Sequence, residues 1–233
     1  MNESADIIRG MKGLPDGRGL RFPIRDAELN VIGFLRGFDM FFLEDDEIIE
    51  TMAKFHTLYK ESFLTQFDVT PENKKNWLEH SVLPNDRKML FLVETLDGRI
   101  IGQDGFTLMD GGVFELDGSM RWGRGGNSGI FVRSTLERAA ICFFLLGRDT
   151  LKFEIFRKNK ITIDNALSLG MEIVAERRLN RSLRDGIVKF SLASGSRLVN
   201  TDETLLEFRM GKSQFGKSYG ALRDHPCWEG FLE

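Results

Sequence analysis

The feature that most constrains the fold of this chain is the glycine-rich segment at residues 121–131, RWGRGGNSGIF. The residues before it, VFELDGSMRW, follow a strand pattern, and the run VRSTLERAAICFFLLG, which begins directly after it, has helical spacing. Glycines allow a tight turn, and they also let backbone N–H groups approach a phosphate at the start of a helix. The segment therefore predicts either a plain turn or an anion site between a strand and a helix.

The remaining apolar patterns predict a mixed α/β domain with a mostly antiparallel sheet and one strand–loop–helix–strand crossover. Predicted helices cover residues 46–63, 70–83, 130–147 and 161–169. Predicted strands cover residues 19–26, 88–95, 99–109, 113–122, 150–156, 171–179 and 187–194. We expect residues 1–17 to be loose. We also expect the domain to span 1–194, followed by an extension over 195–233 that packs on it or on a dimer partner.

The composition excludes several classes of protein. A net charge of −3 argues against nucleic acid as the main partner, because phosphate contacts require a basic face. No apolar run approaches the ~20 residues that cross a bilayer, and the N-terminus MNESADIIRGMKG lacks the apolar core of a signal peptide. Two cysteines and three histidines form no metal-ligand pattern. We therefore expect a cytoplasmic protein without a metal.

Two segments, in this order of elements, resemble the GNAT superfamily of acyl-CoA N-acyltransferases. The six residues RGGNSG at 124–129 are similar to the family's pyrophosphate loop, [QR]-x-x-G-x-[GA]. NKITIDNALSLGM, at 159–171, is similar to the later family segment N-x-x-A-I-x-L-Y-x-x-L-G-F, with Thr162, Asn165, Ala166 and Met171 departing from it. The resemblance covers about residues 88–180 and implies a GNAT-like fold.

The resemblance also implies acyl-CoA as co-substrate. The residues that it assigns to acyl-CoA binding are Arg121, Arg124, Gly125, Gly126, Asn127, Ser128, Gly129, Ile130 and Asn159. Either arginine is able to head the phosphate loop. By the same resemblance, Asn159 would bond the pantetheine arm, and backbone N–H groups near residues 120–122 would polarise the thioester carbonyl.

Acyl transfer to an amine also calls for a group that accepts a proton. Four candidates are present, and the sequence leaves the choice among them open: Asp104, Glu115, Asp117 and His56. Glu115 and Asp117 lie two residues apart and share one strand face. In the family a tyrosine commonly protonates the departing thiolate, but Ala166 occupies its position. We expect neither Tyr59 nor Tyr219 to replace it, since a thiol with a pKa near ~8.5 can leave unaided.

The expected acceptor is a small-molecule amine. The segment ELDGSMRWGRGGNSGIF resembles GNAT enzymes that acylate nucleotide-linked amino sugars, such as a dTDP-3-amino-3,6-dideoxyhexose, for cell-surface polysaccharide. The alternatives are a GNAT enzyme acting on a protein N-terminus or another small amine, and a module that binds acyl-CoA without turnover. A homodimer is a further expectation, while the length of the acyl chain stays open.

Overall fold

The computed structural model describes residues 3–12, 20–122, 129–193 and 200–222. The strands in these residues are β1 (Arg21–Arg25), β2 (Val31–Gly37), β3 (Thr65–Gln66), β4 (Lys88–Thr95), β5 (Ile100–Leu108), β6 (Val113–Arg121), β7 (Thr150–Phe156), β8 (Glu172–Arg184), β9 (Ile187–Leu192) and β10 (Thr204–Gly211). The helices are α1 (Glu3–Lys12), α2 (Met40–Leu43), α3 (Asp46–Leu58), α4 (Pro71–Trp77), α5 (Ile130–Ala140), α6 (Lys160–Ser168) and α7 (Lys212–Tyr219). Single π-helical turns extend α4 over Leu78–Val82 and α5 over Ile141–Leu145.

The strands form one sheet in the order β1-β2-β4-β5-β6-β7-β10-β8-β9-β3. Its described strand pairs are antiparallel except β6 and β7, which run parallel because α5 connects them as a crossover. The predicted mixed α/β fold, with one strand–loop–helix–strand crossover, is therefore confirmed.

The sheet has a hydrophobic core on each face. On one face Phe91 and Phe106 pack with α1, α5 and α7, and on the other Leu90 and Leu92 pack with α2, α3 and the turn after α4. Because both faces are covered, β4 is apolar at consecutive positions and shows little alternation.

Local signals start the helices where the sequence predicts them. Thr70 is the N-cap of α4, accepting a hydrogen bond from the Asn73 N–H, and Pro71 occupies the first turn. Asp45 caps α3 in the same way through the Ile48 N–H. These caps direct the chain between the helices that cover one face of the sheet.

The two ends of the chain differ from the expectation. Residues 3–12 form a helix, because Ile8 and Met11 lie on one helical face and are fully buried in the core. The expectation of a loose segment is wrong for these residues. In the expected extension, β10 lies between β7 and β8, and α7 follows it with Phe215 fully buried. Residues 204–222 therefore complete the same sheet and core.

Candidate functional site

The sheet opens between its two parallel strands. β6 and β7 pair only from Val113 with Thr150 to Glu115 with Lys152, although β6 continues to Arg121 and β7 to Phe156. Each strand keeps its other partner, β5 for β6 and β10 for β7. The two strands therefore diverge beyond Glu115 and leave a gap with strand edges on both sides.

A cleft of about 760 Å³ occupies this gap. Residues 115–121 and 153–156 form its two strand walls. Lys158 and Asn159, just before α6, and residues 61–64 after α3 also line the cleft. A volume of this size fits the ordinary range of ~300–1,000 Å³ for small-molecule sites. The cleft is the candidate functional site.

A β-bulge shapes the wall formed by β6. Gln103 pairs with Met120 but Gly105 pairs with Asp117, so β6 has one residue more than β5 over this stretch. Gly118 has φ of +67°, a conformation that favours glycine. The Gln103 side-chain amide donates to the Gly118 carbonyl oxygen at 2.9 Å, and this bond holds the bulge in place.

Beyond the bulge, the backbone offers one of the three N–H groups expected to face the thioester. The Trp122 N–H donates to the Ile101 carbonyl oxygen at 2.8 Å and therefore points to β5. Because N–H groups alternate along a strand, the Met120 N–H also points to β5, and the Arg121 N–H points to the β7 side. Of the three N–H groups predicted as donors at residues 120–122, the one directed to the β7 side is therefore that of Arg121.

Helix α5 begins beside the cleft. Gly129 is its N-cap with φ of +93°, and Ile130, fully buried, is its first residue. The first N–H groups of a helix have no partner within the helix, which makes this end suited to an anion. Arg121 lies close by, its guanidinium 5.8 Å from the centre of the Phe131 ring. Arg124, Gly125, Gly126, Asn127 and Ser128 lie outside the described residues.

Two glycines of the sheet let this end of α5 lie close against the strands. A Cβ atom on Gly102 would overlap the Phe131 ring and the Met120 carbonyl oxygen. A Cβ atom on Gly33 would overlap the Glu94 carbonyl oxygen and lie 2.8 Å from the Ile130 Cδ1. The sheet thus fixes the position of the first turn of α5 through close backbone contact.

Helix α6 begins on the other side of the cleft. Asn159 is its N-cap, with the side-chain oxygen accepting a hydrogen bond from the Thr162 N–H at 3.2 Å. Both residues line the cleft. The side-chain oxygen of Asn159 therefore caps the helix, and its amide NH₂ carries the donors for the expected contact with the pantetheine arm.

Glu115 lies at the apex of the gap, where β6 and β7 separate. It lines the cleft and receives a hydrogen bond from Lys152 Nζ at 3.5 Å across the two strands. Burial raises the pKa of this carboxyl above its ordinary value, while Lys152 opposes the shift and Glu154 adds to it. A carboxylate with a raised pKa at the end of a cleft is suited to accept a proton.

Asp117 lies on the same wall and is held by two donors. Lys88 Nζ and Thr107 Oγ1 each donate to its Oδ2 at 2.8 Å. Its Oδ1 is buried without a described partner, and a Cβ on Gly105 would lie 3.0 Å from it. The glycine therefore leaves room for this carboxylate, which is fixed in direction and better suited to orient an amine than to move protons.

Asp104 lies on the opposite face of the sheet from these two carboxylates. Its strand neighbour Gly105 pairs with Asp117, so the alternation of side chains directs Asp104 toward α5. There it is 1 % exposed, 3.2 Å from Arg138, and accepts a hydrogen bond from Ser134. The structure thus contradicts its assignment as the base, because the carboxylate is enclosed under a helix.

His56 lies behind the cleft wall. Its ring stacks on that of Phe63, which lines the cleft, with the centroids 4.6 Å apart. Its Nδ1 is 3.1 Å from the buried Lys74 Nζ. Burial, and then the Lys74 charge, lower the pKa of His56 to about 4. A histidine with so low a pKa is a weak base at neutral pH, and this disfavours the expected role.

The two tyrosines are in different places. Tyr219 packs against Phe215, and its hydroxyl lies 3.4 Å from the Leu169 carbonyl oxygen on the α7 side. Tyr59 lines the cleft and is 40 % exposed. Ala166, at the position of the family tyrosine, is buried in the core. Of the two, only Tyr59 lines the described cleft.

Sequence reasoning missed the cations that hold these carboxylates. Lys88 of β4 pairs with Asp117, Lys152 of β7 pairs with Glu115, and Arg138 of α5 pairs with Asp104. Each belongs to a predicted strand or helix, but its partner depends on strand order and register. The sign of these cations in the sequence is a lysine or arginine within a strand or helix that is otherwise apolar.

Among the described residues, no helix combines the length and the apolar character needed to cross a membrane. Within the same residues, no group of three or more histidine, cysteine, aspartate and glutamate side chains is arranged to hold a metal ion.

Several solved structures are similar to this one. A nucleotide-linked sugar GNAT, FdhC, aligns with a TM-score of 0.60 and 13% identity over 88% of this chain and 98% of that chain. A GCN5-related N-acetyltransferase from Brucella melitensis aligns with a TM-score of 0.59 and 14% identity over 92% and 86%. Spermidine N-acetyltransferase from Vibrio cholerae, in complex with CoA and spermine, aligns with a TM-score of 0.54 and 11% identity over 78% and 96%. The sequence matches no protein-family model and no curated protein.

At these identities the similarity is one of fold. The chain has the fold of the GNAT acetyltransferases, and the resemblance expected from residues 88–180 is confirmed at that level.

Proposed function

Because the chain has the GNAT fold, we propose that it is an acyl-CoA-dependent N-acyltransferase. The observation that carries the proposal is the cleft between β6 and β7, which is lined by Asn159 at the start of α6 and by Arg121, close to Phe131 in the first turn of α5. The start of α5 supplies N–H donors for the pyrophosphate of acyl-CoA, and Arg121 adds a cation near it. Asn159 would bond the pantetheine arm.

In the proposed reaction, the amine nitrogen forms a bond to the acyl carbon and the carbon–sulfur bond breaks. Glu115 accepts the proton that the amine loses, and Asp117 orients the amine. The Arg121 N–H stabilises the negative charge on the carbonyl oxygen. Sulfur leaves as the thiolate, since a thiol with a pKa near ~8.5 needs no protein acid near neutral pH.

For the acceptor, we propose a nucleotide-linked amino sugar, such as a dTDP-3-amino-3,6-dideoxyhexose, in the cytoplasmic synthesis of cell-surface polysaccharide. The similarity of residues 115–131 to enzymes of that group supports this choice, as does the fold shared with a nucleotide-linked sugar GNAT. Lys158, in the cleft lining, is a cation that could meet the diphosphate.

A second candidate acceptor is a cationic small amine such as a polyamine. Four carboxylates contribute to the cleft lining: Glu61, Glu115, Asp117 and Glu154. Carboxylates in a cleft lining favour an acceptor that carries ammonium groups. The fold shared with a spermidine N-acetyltransferase is compatible with it.

Release of free CoA thiol tests the proposal. The purified full chain would be incubated with acetyl-CoA and longer acyl-CoAs, each with a dTDP-amino sugar, spermidine or a peptide with a free N-terminus. We expect thiol release that depends on the amine. Stabilisation by acyl-CoA, about 2.7 kcal/mol at 100 times its Kd, without thiol release for any amine would indicate a binding module and contradict the proposed activity.

A further inference from the structure

A buried ion pair links α5 to the bulge in the cleft wall. Arg138 of α5 and Asp104 of β5 are each 1 % exposed and lie 3.2 Å apart. The guanidinium also donates to the Gly105 carbonyl oxygen and, at 3.1 Å, to the Ser119 hydroxyl. One side chain therefore joins the helix to two adjacent strands, at the position where β6 carries its extra residue.

The same guanidinium is anchored within its own helix. It donates to Thr135 Oγ1 at 3.1 Å, and Ser134 donates to the Asp104 carboxylate from the same turn of α5. The direction of Arg138 is therefore set by α5, whose first residue follows the expected phosphate loop. Ser119 lies two residues before Arg121, whose N–H points to the β7 side of the cleft.

We propose that Arg138, held by Asp104, is a positioning residue that fixes the Gly118–Ser119 bulge relative to α5. It thereby holds the cleft edge of β6 at a fixed position relative to the start of α5, which by the proposed function receives the acyl-CoA pyrophosphate. The inference rests on the proposed acyltransferase function. It assigns Asp104 a role other than that of a base, because the carboxylate acts through Arg138 and contacts no substrate.

Helix α5 offers a matched control in a second buried pair. Glu137, the residue before Arg138, lies 3.0 Å from Arg25, and their side chains are 2 % and 1 % exposed. This pair joins α5 to β1, the edge strand of the sheet, four strands away from β6. It shares the burial and the helix of the Arg138 pair but does not reach the bulge.

The test compares Arg138→Lys with Arg25→Lys, and Ser119→Ala with Ser182→Ala, a change at an exposed serine of β8 that donates to the Lys189 carbonyl oxygen. Lysine keeps the charge but loses the fork that bonds two strands at once. We expect Arg138→Lys and Ser119→Ala to lower kcat by about 10- to 100-fold with a smaller change in the KM for acyl-CoA, since small displacements of reacting groups are costly. Arg25→Lys and Ser182→Ala should change kcat by less than about threefold, Arg25→Lys at a loss of Tm comparable with that of Arg138→Lys.

Hydrogen exchange of the backbone amides over residues 117–121 gives a second readout that needs no turnover. We expect faster exchange there in Arg138→Lys and Ser119→Ala, and unchanged exchange in the two controls. If Arg138→Lys does not fold, the Ser119→Ala and Ser182→Ala pair still decides. Equal kcat and equal exchange across the matched pairs would overturn the inference. Absence of turnover in the wild-type chain would instead overturn the proposed function. The exchange data would still show whether Arg138 fixes the position of the bulge.

Discussion

At the scale of single residues, Glu115 is the group whose chemistry the cleft most clearly alters. Burial raises the pKa of its carboxyl, and Lys152 keeps it within 3.5 Å of a cation. As the proposed base, it should lose roughly 10²–10⁴ in kcat on change to Gln. Steady-state rates measure this, with Glu154→Gln as control, because Glu154 also contacts Lys152 but lies on the opposite wall. Equal losses in the two variants would contradict the assignment.

The raised pKa of Glu115 also predicts a dependence of stability on pH. Its folded pKa lies above the unfolded value of 4.5, so the folded state holds this proton more tightly. The contribution of Glu115 to stability is then fully present below pH 4.5 and lost as pH rises through the folded pKa. Relative to Glu115→Gln, the wild-type chain should therefore be less stable at neutral pH than at acid pH, as measured by urea unfolding. An unchanged difference across that range would contradict a raised pKa.

The position of the family tyrosine leads to a prediction about the pH–rate profile. Ala166 has no proton to give, and Tyr219 packs against α7 residues away from the cleft. We expect kcat/KM to rise with pH as the amine and its base lose protons, and then to level off. A descending limb with a pKa near ~10, removed by Tyr59→Phe, would show that Tyr59 supplies the proton from the cleft lining.

At the scale of elements, the first turn of α5 depends on glycines in the strands beneath it. In Gly102→Ala the new Cβ would overlap the Phe131 ring and the Met120 carbonyl oxygen, so the helix start or the strand must shift. We expect a loss of about 1–3 kcal/mol in unfolding free energy and weaker binding of CoA. Calorimetric titration with CoA and thermal unfolding measure the two effects.

A matched control is available in α7. A Cβ on Gly216 meets nothing within 4 Å, so Gly216→Ala should gain stability from the better helix propensity of alanine, by up to about 1 kcal/mol. CoA affinity should not change in this variant. Normal CoA affinity in Gly102→Ala would contradict the prediction, because it would show that CoA binding does not require α5 to lie this close to the sheet.

Elements were predictable where local signals and burial agree. The caps at Asp45 and Thr70, and the fully buried strand β4, are visible in the sequence because they depend on neighbouring residues. β10 was not predicted, because its place between β7 and β8 requires a later segment of the chain to insert between two strands formed earlier in the sequence. α1 was missed because its apolar residues, Ala5, Ile7, Ile8 and Met11, lie in a short stretch that is otherwise polar and glycine-rich.

At the scale of the whole molecule, the sequence predicts which segments contribute to the site but not which of their side chains meet in the cleft. Glu115 and Asp117 were correctly expected to share one face, because strand alternation is a local property. Asp104 is a candidate in the sequence because Gly102 and Gly105 leave room for a ligand beside it, but the face that it occupies depends on the register between β5 and β6. Gly105 pairs with Asp117, so Asp104 faces the other side of the sheet. Register comes from long-range packing, which one sequence does not display.

The last prediction concerns the extent of the domain. A chain ending at residue 193 lacks β10, so β7 loses its antiparallel partner and the β8–β9 hairpin loses its attachment to β7. Among the described residues, the truncation also removes six buried apolar side chains: Leu205, Leu206, Phe208, Met210, Phe215 and Leu222. At about 1.5–3 kcal/mol each, their loss of roughly 9–18 kcal/mol is as large as the whole stability of an ordinary domain, about 5–15 kcal/mol.

We therefore expect the chain of residues 1–193 to show no cooperative thermal transition and no CoA binding. A chain ending at residue 222 is the control, because it keeps every described element and should unfold cooperatively. Circular dichroism during heating distinguishes the two. Cooperative unfolding of the shorter chain would mean that the domain ends near residue 194 and that β10 adds to a sheet already stable without it. Its failure to fold would make residues 204–222 part of the domain that forms the cleft, since Leu205 of β10 contributes to the cleft lining.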